Sequence, residues 1–265
     1  MIKNPCFAYN IWNIELCEIF TKLSKKHSTP VILQVSEKIA STMDLDIFTK
    51  QINILKETLP GHIFLNLDHA INIKLVKECI DLGWDMIAYD GSNLSLEQNI
   101  RNTKEIVRYA HEQNTLVEGE IDPISSFDIS KKTVNPQKTD IETAKKFIKS
   151  TDVDYFAIAI GTLHGYSPDD SIEIDYDLLG KASKELDVNL VLHGGSGLSI
   201  ETYNKCFLLN IKKINISTEI KRLYKQILVD IVYKKEFDIR FLNQLVFKKI
   251  EELFIEKDKS FEGIT

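Results

Sequence analysis

No Cys-x-x-Cys pair occurs in this chain of 265 residues, and its four cysteines, Cys6, Cys17, Cys79 and Cys206, stand far apart. That spacing excludes a thiolate zinc cluster and argues against a disulfide framework, so the thiols are expected to be reduced and mostly buried. There is no run of the roughly 18 apolar residues that a membrane span needs. The first ten residues, MIKNPCFAYN, lack the apolar core of a secretory signal. A soluble, cytoplasmic protein without a membrane partner is expected. Positive charge is not in excess either: 33 Lys and Arg stand against 39 Asp and Glu, for a formal charge of −6. Nucleic acid is therefore not expected as a partner, because that function usually shows as a basic patch. Short basic pairs such as Lys131-Lys132 and Lys212-Lys213 are expected to be solvated surface.

What is present is a large apolar complement, 43% of residues, enough for a substantial core. Short β-branched runs at 7–10, 31–36, 62–68, 85–90, 116–121, 155–160, 190–193 and 213–216 alternate with longer amphipathic stretches. Near-continuous apolar strands separated by helices mark a parallel sheet covered by helices. Eight such units predict an α/β fold of the closed (β/α)8 TIM-barrel type. One domain over 1–265 is expected, with a C-terminal helical extension from about 235. An open doubly wound sheet is the alternative.

Helical periodicity fills the gaps. Residues 95–113 carry an apolar stripe, Thr139 followed by Glu142 resembles a capped helix start, and Ser199 opens a helix after a glycine-rich turn. The stretch 237–256 reads as one amphipathic helix lying on the barrel exterior or on a partner subunit. One segment breaks the rhythm: 122–138 is long, polar and contains two prolines. Following the fifth strand, it would lie on the catalytic face, and it reads as a lid.

Three of the six histidines stand at the ends of apolar runs: His69 in LNLDHA, His164 in AIAIGTLHGY and His193 in LVLHGGSG. A lone histidine at a strand end is more often a hydrogen-bonded structural residue. Three of them beside glycines or carboxylates reverse that expectation, because imidazoles delivered to one place can hold zinc and leave a coordination position open. His27 and His111 sit in charged helical surroundings and are expected to be exposed. His62 begins a strand at the opposite end.

Other strand ends are also polar: Asn10, Ser36, Asp68, Asp90-Gly91-Ser92, Glu118 and Glu120, Gly165, the turn 193–197, and Asn215 to Thr218. Polar residues at the C-terminal strand ends of a barrel line its active site. Asp68 directly precedes His69 and reads as a buried acid/base or orienting carboxylate rather than a helix cap. Glu118 and Glu120 share one side of a strand, so inside a barrel they need a cation or a proton. The turn around Gly194 and Ser196 can cradle a phosphate, and a second anion-friendly turn follows at 215–218. Phosphate sites recur after strands seven and eight of barrels, so a phosphorylated substrate is expected.

In order along the chain, LDH at 67–69, DGS at 90–92, VEGE at 117–120, AIGTLHG at 159–165, LHGGSG at 192–197 and KINISTE at 213–219 resemble the serial motifs of class II, zinc-dependent ketose-bisphosphate aldolases. The resemblance spans about residues 8–228 and includes fructose- and tagatose-bisphosphate aldolases. It implies that His69, His164 and His193 bind Zn2+, with Glu120 as a further ligand or near-ligand. It implies that Asp68 exchanges a proton with the substrate hydroxyl. Gly165, Gly194, Ser196, Asn215, Ser217 and Thr218 would hold the phosphate of a dihydroxyacetone-phosphate unit, with Ser36 nearby. A monovalent cation (Na+ or K+) near Gly165 and Gly194, and a homodimer or homotetramer, are implied in the same way. The chain departs from the family pattern at Ala70, Asn93, Tyr166 and Ser217, and its lid stretch IDPISSFD lacks the usual glycines. Asp128 is the residue that stretch offers as lid acid. The expected activity is zinc-dependent cleavage of a ketose phosphate, with fructose 1,6-bisphosphate as default substrate and tagatose 1,6-bisphosphate or another sugar phosphate as rival. A non-catalytic phosphosugar-binding protein and a metal-dependent epimerase are the competing classes.

Overall fold

The two faces of the first strand already divide the core. In β1 (Cys6–Asn10), Phe7 and Tyr9 join the large apolar cluster beneath the helices, while Cys6 and Ala8 join a second, smaller cluster. In β2 (Val31–Ser36) the split repeats, with Val31, Leu33 and Val35 in the first cluster and Ile32 in the second. A strand buried on both faces needs helices on one side and its fellow strands on the other. The remaining strands are β3 (Ile63–Ala70), β4 (Met86–Asp90), β5 (Leu116–Glu120), β6 (Tyr155–Ala157), β7 (Asn189–Leu192) and β8 (Ile211–Ile216). Together they form a closed parallel barrel in sequence order, sealed where β1 pairs with both β2 and β8. This computed structural model describes residues 4–58, 62–123, 137–165, 173–233, 238–262 and 264.

The smaller cluster, with Cys6, Ala8, Ile32, Met86, Tyr155, Ala157 and Val191, fills the barrel toward the strand N-termini. Further along β1, β2, β3, β5 and β8 the inward positions turn polar: Asn10, Gln34, Asp68, Glu120 and Asn215, all buried. The polar lining thus gathers toward the C-terminal strand ends, where barrel enzymes carry their chemistry; the inward pair Glu118 and Lys213 lies one layer deeper, level with Cys6 and Tyr155.

The helices are α1 (Ile14–His27), α2 (Glu37–Ala40), α3 (Leu45–Thr58), α4 (Ile73–Asp81), α5 (Leu96–His111), α6 (Ile141–Thr151), α7 (Tyr176–Glu185), α8 (Ile200–Leu208), α9 (Thr218–Val232) and α10 (Leu242–Asp258). Side chains of Asn13, Asn72, Ser95, Asp140, Asp175 and Ser199 accept from first-turn amides. Each such cap stabilises by about 1 kcal/mol. The C-terminal helix α10 packs on the barrel exterior against α1 and α9. It is preceded by a short 3-10 turn, Ile239–Phe241.

Several expectations need correction. The sixth strand is only Tyr155–Ala157; beyond it Ile160 bridges antiparallel to Lys138, because the chain returning from the long loop claims that edge. Asp140, not Thr139, caps α6. Thr139 instead accepts from Ala159 N at 2.9 Å and donates to Asp122 at 2.7 Å. His27 is half-buried against the Phe254 ring, centroids 5.6 Å apart, because α10 covers the end of α1. Lys213 is fully buried rather than solvated. It occupies an inward position of β8, where a carboxylate awaits it.

Candidate active site

A cleft of about 410 Å³ opens at the C-terminal mouth of the barrel. Into it converge Ser36, Asp68, His69, Glu120, His164 and Gly165, joined by Gly194, Ser196, Asn215, Ser217 and Thr218 from the last two strand ends. His193 lies just beneath, 1% exposed. Every site residue expected from the sequence is thus at this mouth except Asp128, which lies outside the described residues, as does Tyr166 and most of the expected lid.

The backbone makes an exception to bring Asp68 and His69 together. Neighbouring residues of a strand face opposite sides. His69, however, is in the left-handed region at φ 50°, and the β3–β4 register shifts between Leu67 and Ala70. Both side chains therefore line the same cleft. A left-handed non-glycine residue costs of order 1–3 kcal/mol, which the surrounding barrel must sustain.

The His69 ring centroid lies 4.4 Å from that of His193 and 4.9 Å from that of His164. One donor atom from each of the three rings falls within 4.8 Å of the others. His69, Asp90 and Glu120 form a second such trio. His69 Nδ1 is 3.4 Å from Asp90 and 3.3 Å from Glu120. Among the described residues, His69 Nε2, His193 Nδ1 and Glu120 Oε1 are buried with no hydrogen-bond partner. Buried polar atoms without partners are rare and costly. His193 Nδ1 also lies 3.7 Å from the other Glu120 oxygen, and a cation fits among these groups.

The two glutamates have different partners. Glu118 accepts from His193 Nε2 at 2.7 Å and from Lys213 Nζ at 2.8 Å, all three groups being buried. Burial opposes its ionisation, but Lys213 and then His193 hold its carboxyl down to about 2. An ionised Glu118 accepts the Nε2 proton, so Nδ1, 3.7 Å from Glu120 Oε2, is the His193 atom left to meet a metal ion. Lysine, not a metal, answers the charge of Glu118. Replacing Lys213 by Met leaves that carboxylate buried without its countercharge and is expected to cost about 3–5 kcal/mol. Denaturant unfolding checks this, and a loss below about 1 kcal/mol contradicts the role of the pair.

Asp68 accepts from Asn10 Nδ2 at 3.0 Å and from Asn215 Nδ2 at 3.3 Å. Gln34 donates to Asn10 at 2.8 Å and so fixes which face Asn10 turns to Asp68. Burial raises the Asp68 pKa, but His69, Lys213, His193 and the Asn10 hydrogen bond together hold it below the ordinary value. It rests ionised. Burial also opposes charge on His69, yet Asp68, Asp90 and Glu120 raise its pKa well above the usual value. The local carboxylates demand a positive charge there, as a ring proton or a metal ion. For His164, burial and then the neighbouring His69 and His193 push the pKa down to about 3, so its ring is a neutral donor.

The glycine-rich turn at 193–197 is stitched to the turn that opens α9. Ser196 Oγ accepts from Ser217 N at 3.1 Å and Glu219 N at 3.3 Å, which leaves its hydroxyl proton to donate elsewhere. Gly194 has φ 66°, and a Cβ there would lie 2.5 Å from the Leu163 carbonyl oxygen, so only glycine lets the two turns approach. Asn215 differs from expectation: its amide is turned onto Asp68.

Sequence reasoning did not assign five contributors as site residues: Asp90, Asn10, Gln34, Lys213 and Lys221. Asp90 had a signal, the DGS triplet at a strand end. Asn10 had one too, as a polar strand end. Gln34 and Lys213 had none, since inward polar positions within an apolar run resemble any other strand residue. Lys221, one turn into α9, also lines the cleft.

The class-II fructose-bisphosphate aldolase family model matches residues 5–263. The chain is 31% identical over 216 residues to a sulfofructosephosphate aldolase from Alkalicoccus urumqiensis, covering 81% of this chain and 75% of that protein. It is 28% identical over 267 residues to a fructose-bisphosphate aldolase from Ureaplasma parvum serovar 3, covering 97% and 91%. The crystal structure of the YdjI aldolase from Escherichia coli K12 superposes with a TM-score of 0.83 at 24% identity, over 97% of this chain and 91% of that one. That likeness bears on the fold.

Proposed function

The chain belongs to the class II fructose-bisphosphate aldolase family, and from that premise we propose that it cleaves a ketose phosphate reversibly to dihydroxyacetone phosphate and an aldehyde, with His69, His164 and His193 holding zinc and Glu120 in reach of it. The observation that carries this reading is the convergence of donor atoms from His69, His164 and His193 within 4.8 Å of one another, with unpartnered buried atoms on His69, His193 and Glu120 and ionised Asp68 beside them. When bound, zinc supplies Lewis-acid stabilisation of the negative charge that develops as the carbon–carbon bond breaks.

The residues divide the remaining work. Asp68 takes the proton of the hydroxyl next to the bond that breaks, and returns it in the condensing direction. Asn10 and Asn215 hold its two oxygens in place, so that reorientation does not add to the barrier. The turn at Gly165, the turn at Gly194 and Ser196, and the start of α9 at Ser217 and Thr218 hold the phosphate. There the helix N-terminus favours an anion and the Ser196 hydroxyl has a proton to donate. Ser36 and Lys221 line the same cleft, and Lys221 offers a positive charge to an anionic end of the substrate.

Fructose 1,6-bisphosphate is the first substrate to test. A sulfonated or differently configured ketose phosphate is the alternative, favoured by the similarity to a sulfofructosephosphate aldolase. The barrel with its C-terminal helix is proposed to act as one domain. A homo-oligomer is proposed as well, supported by Val232 and Tyr233 at the end of α9, which are 79% and 82% exposed in the single chain. No helix among the described residues is long and apolar enough to cross a membrane. The test is a cleavage screen of fructose, tagatose and sulfofructose phosphates with zinc-loaded protein, detecting released dihydroxyacetone phosphate. Turnover of at least one is expected; none, at full zinc occupancy, overturns the proposal.

A further inference from the structure

Lys257 sits near the end of α10, outside the barrel, yet it is 1% exposed. Its Nζ donates to Glu219 Oε1 at 3.0 Å and stands 4.8 Å from the centroid of the Tyr203 ring. Tyr203, in α8, donates its hydroxyl to the Gly195 carbonyl at 2.7 Å. Glu219 lies in the first turn of α9, directly after Thr218. One ammonium group on the C-terminal helix thus touches both Tyr203, which supports the glycine-rich turn, and Glu219 at the start of α9. The second oxygen of Glu219 is buried with no partner among the described residues.

A carboxylate in the first turn of a helix competes with any anion for the same favourable field. Glu219 is such a carboxylate, next to a residue that lines the cleft. Left uncompensated, it would repel a phosphate seated there. We propose that Lys257 is a positioning residue for phosphate binding: it cancels the charge that Glu219 carries at the start of α9. The C-terminal helix thereby becomes part of the phosphate site without touching the ligand. This inference rests on the phosphate reading of the two turns proposed above.

Charge compensation and simple structural support make opposite claims about the two partners. If the ion pair mattered only for folding, breaking it from either side would weaken the site. Under the proposal the two single variants diverge. Zinc-loaded wild type, Lys257→Met, Glu219→Gln and the double variant are titrated calorimetrically with inorganic phosphate. Lys257→Met should bind phosphate about tenfold more weakly, Glu219→Gln about threefold more tightly, and the double variant within about twofold of wild type. KM for the ketose phosphate should follow the same order, while kcat and zinc content stay within about twofold.

A Glu219→Gln protein that binds phosphate more weakly overturns the proposal, even if Lys257→Met fails to fold. A double variant no better than Lys257→Met also overturns it. Ser196→Ala separates the two readings. If it weakens phosphate binding while the charge variants all bind alike, only the role of Lys257 is lost. If wild type binds no phosphate, or Ser196→Ala leaves binding unchanged, the phosphate site is wrongly placed and this inference falls with it.

Discussion

Replacing His193 by alanine is expected to strip the protein of zinc and abolish carbon–carbon cleavage while the barrel still folds. His193 is the ring whose orientation the structure determines most fully: Nε2 is engaged by Glu118, and Nδ1, which has no hydrogen-bond partner, lies 3.7 Å from Glu120 Oε2. Without the ring the three-imidazole set loses the donor that Glu118 orients, and Glu120, which sits 3.3 Å from His69 Nδ1, would have to turn onto the ion to restore three ligands. Losses in outer-shell partners of a metal typically cost about 10–100-fold, and removal of a ligand should exceed that, with kcat/KM falling by more than about a thousandfold. Folding should survive, because Glu118 keeps its lysine at 2.8 Å. Metal analysis by mass spectrometry and the cleavage assay check this together. Full zinc occupancy in the variant contradicts the ligand assignment.

Asp68→Ala should dissociate the two properties. Zinc is retained, because the three imidazoles are untouched, and cleavage falls by about 10²–10⁴-fold, the range that a positioned general base supplies. The substitution also leaves the Asn10 and Asn215 amides without their acceptor, at an expected cost of about 1–3 kcal/mol in stability. Asp68→Asn keeps the shape of the side chain but not its basicity, so it separates lost chemistry from lost packing. Both variants should lose kcat with little change in zinc content. An undiminished rate in either removes Asp68 from the mechanism.

The eight-strand barrel was legible because its signal is local. Runs such as 31–33 and 190–192 are apolar on both faces, and the helices between the strands open on cap residues such as Ser95 and Ser199. The three histidines were legible for a related reason: a polar residue at the end of an apolar run is one that the strand delivers to the barrel mouth. The family motifs carried the same residues in the same order, and all of those among the described residues lie at one mouth. Lys213 shows where such reading stops. Beside Lys212 it resembles a solvated pair, and nothing within a few residues of it says otherwise. Only the closure of β8 against β1, which completes the ring, turns it inward toward Glu118, 95 positions earlier in the chain.

His69 marks the same boundary more sharply. Its chemistry was readable in the triplet LDH, but strand alternation alone assigns it and Asp68 to opposite faces. The left-handed turn of its backbone and the register shift against β4 reverse that assignment. What the amino-acid order determined by itself was the kind of fold and the residue types gathered at its mouth, since both follow from patterns a few residues long. What tertiary structure alone decided was which charges meet: Lys213 with Glu118, Lys257 with Glu219, Asn215 with Asp68. Those pairings join strands and helices far apart in the chain, and their energies exist only once the closed ring has brought them out of water.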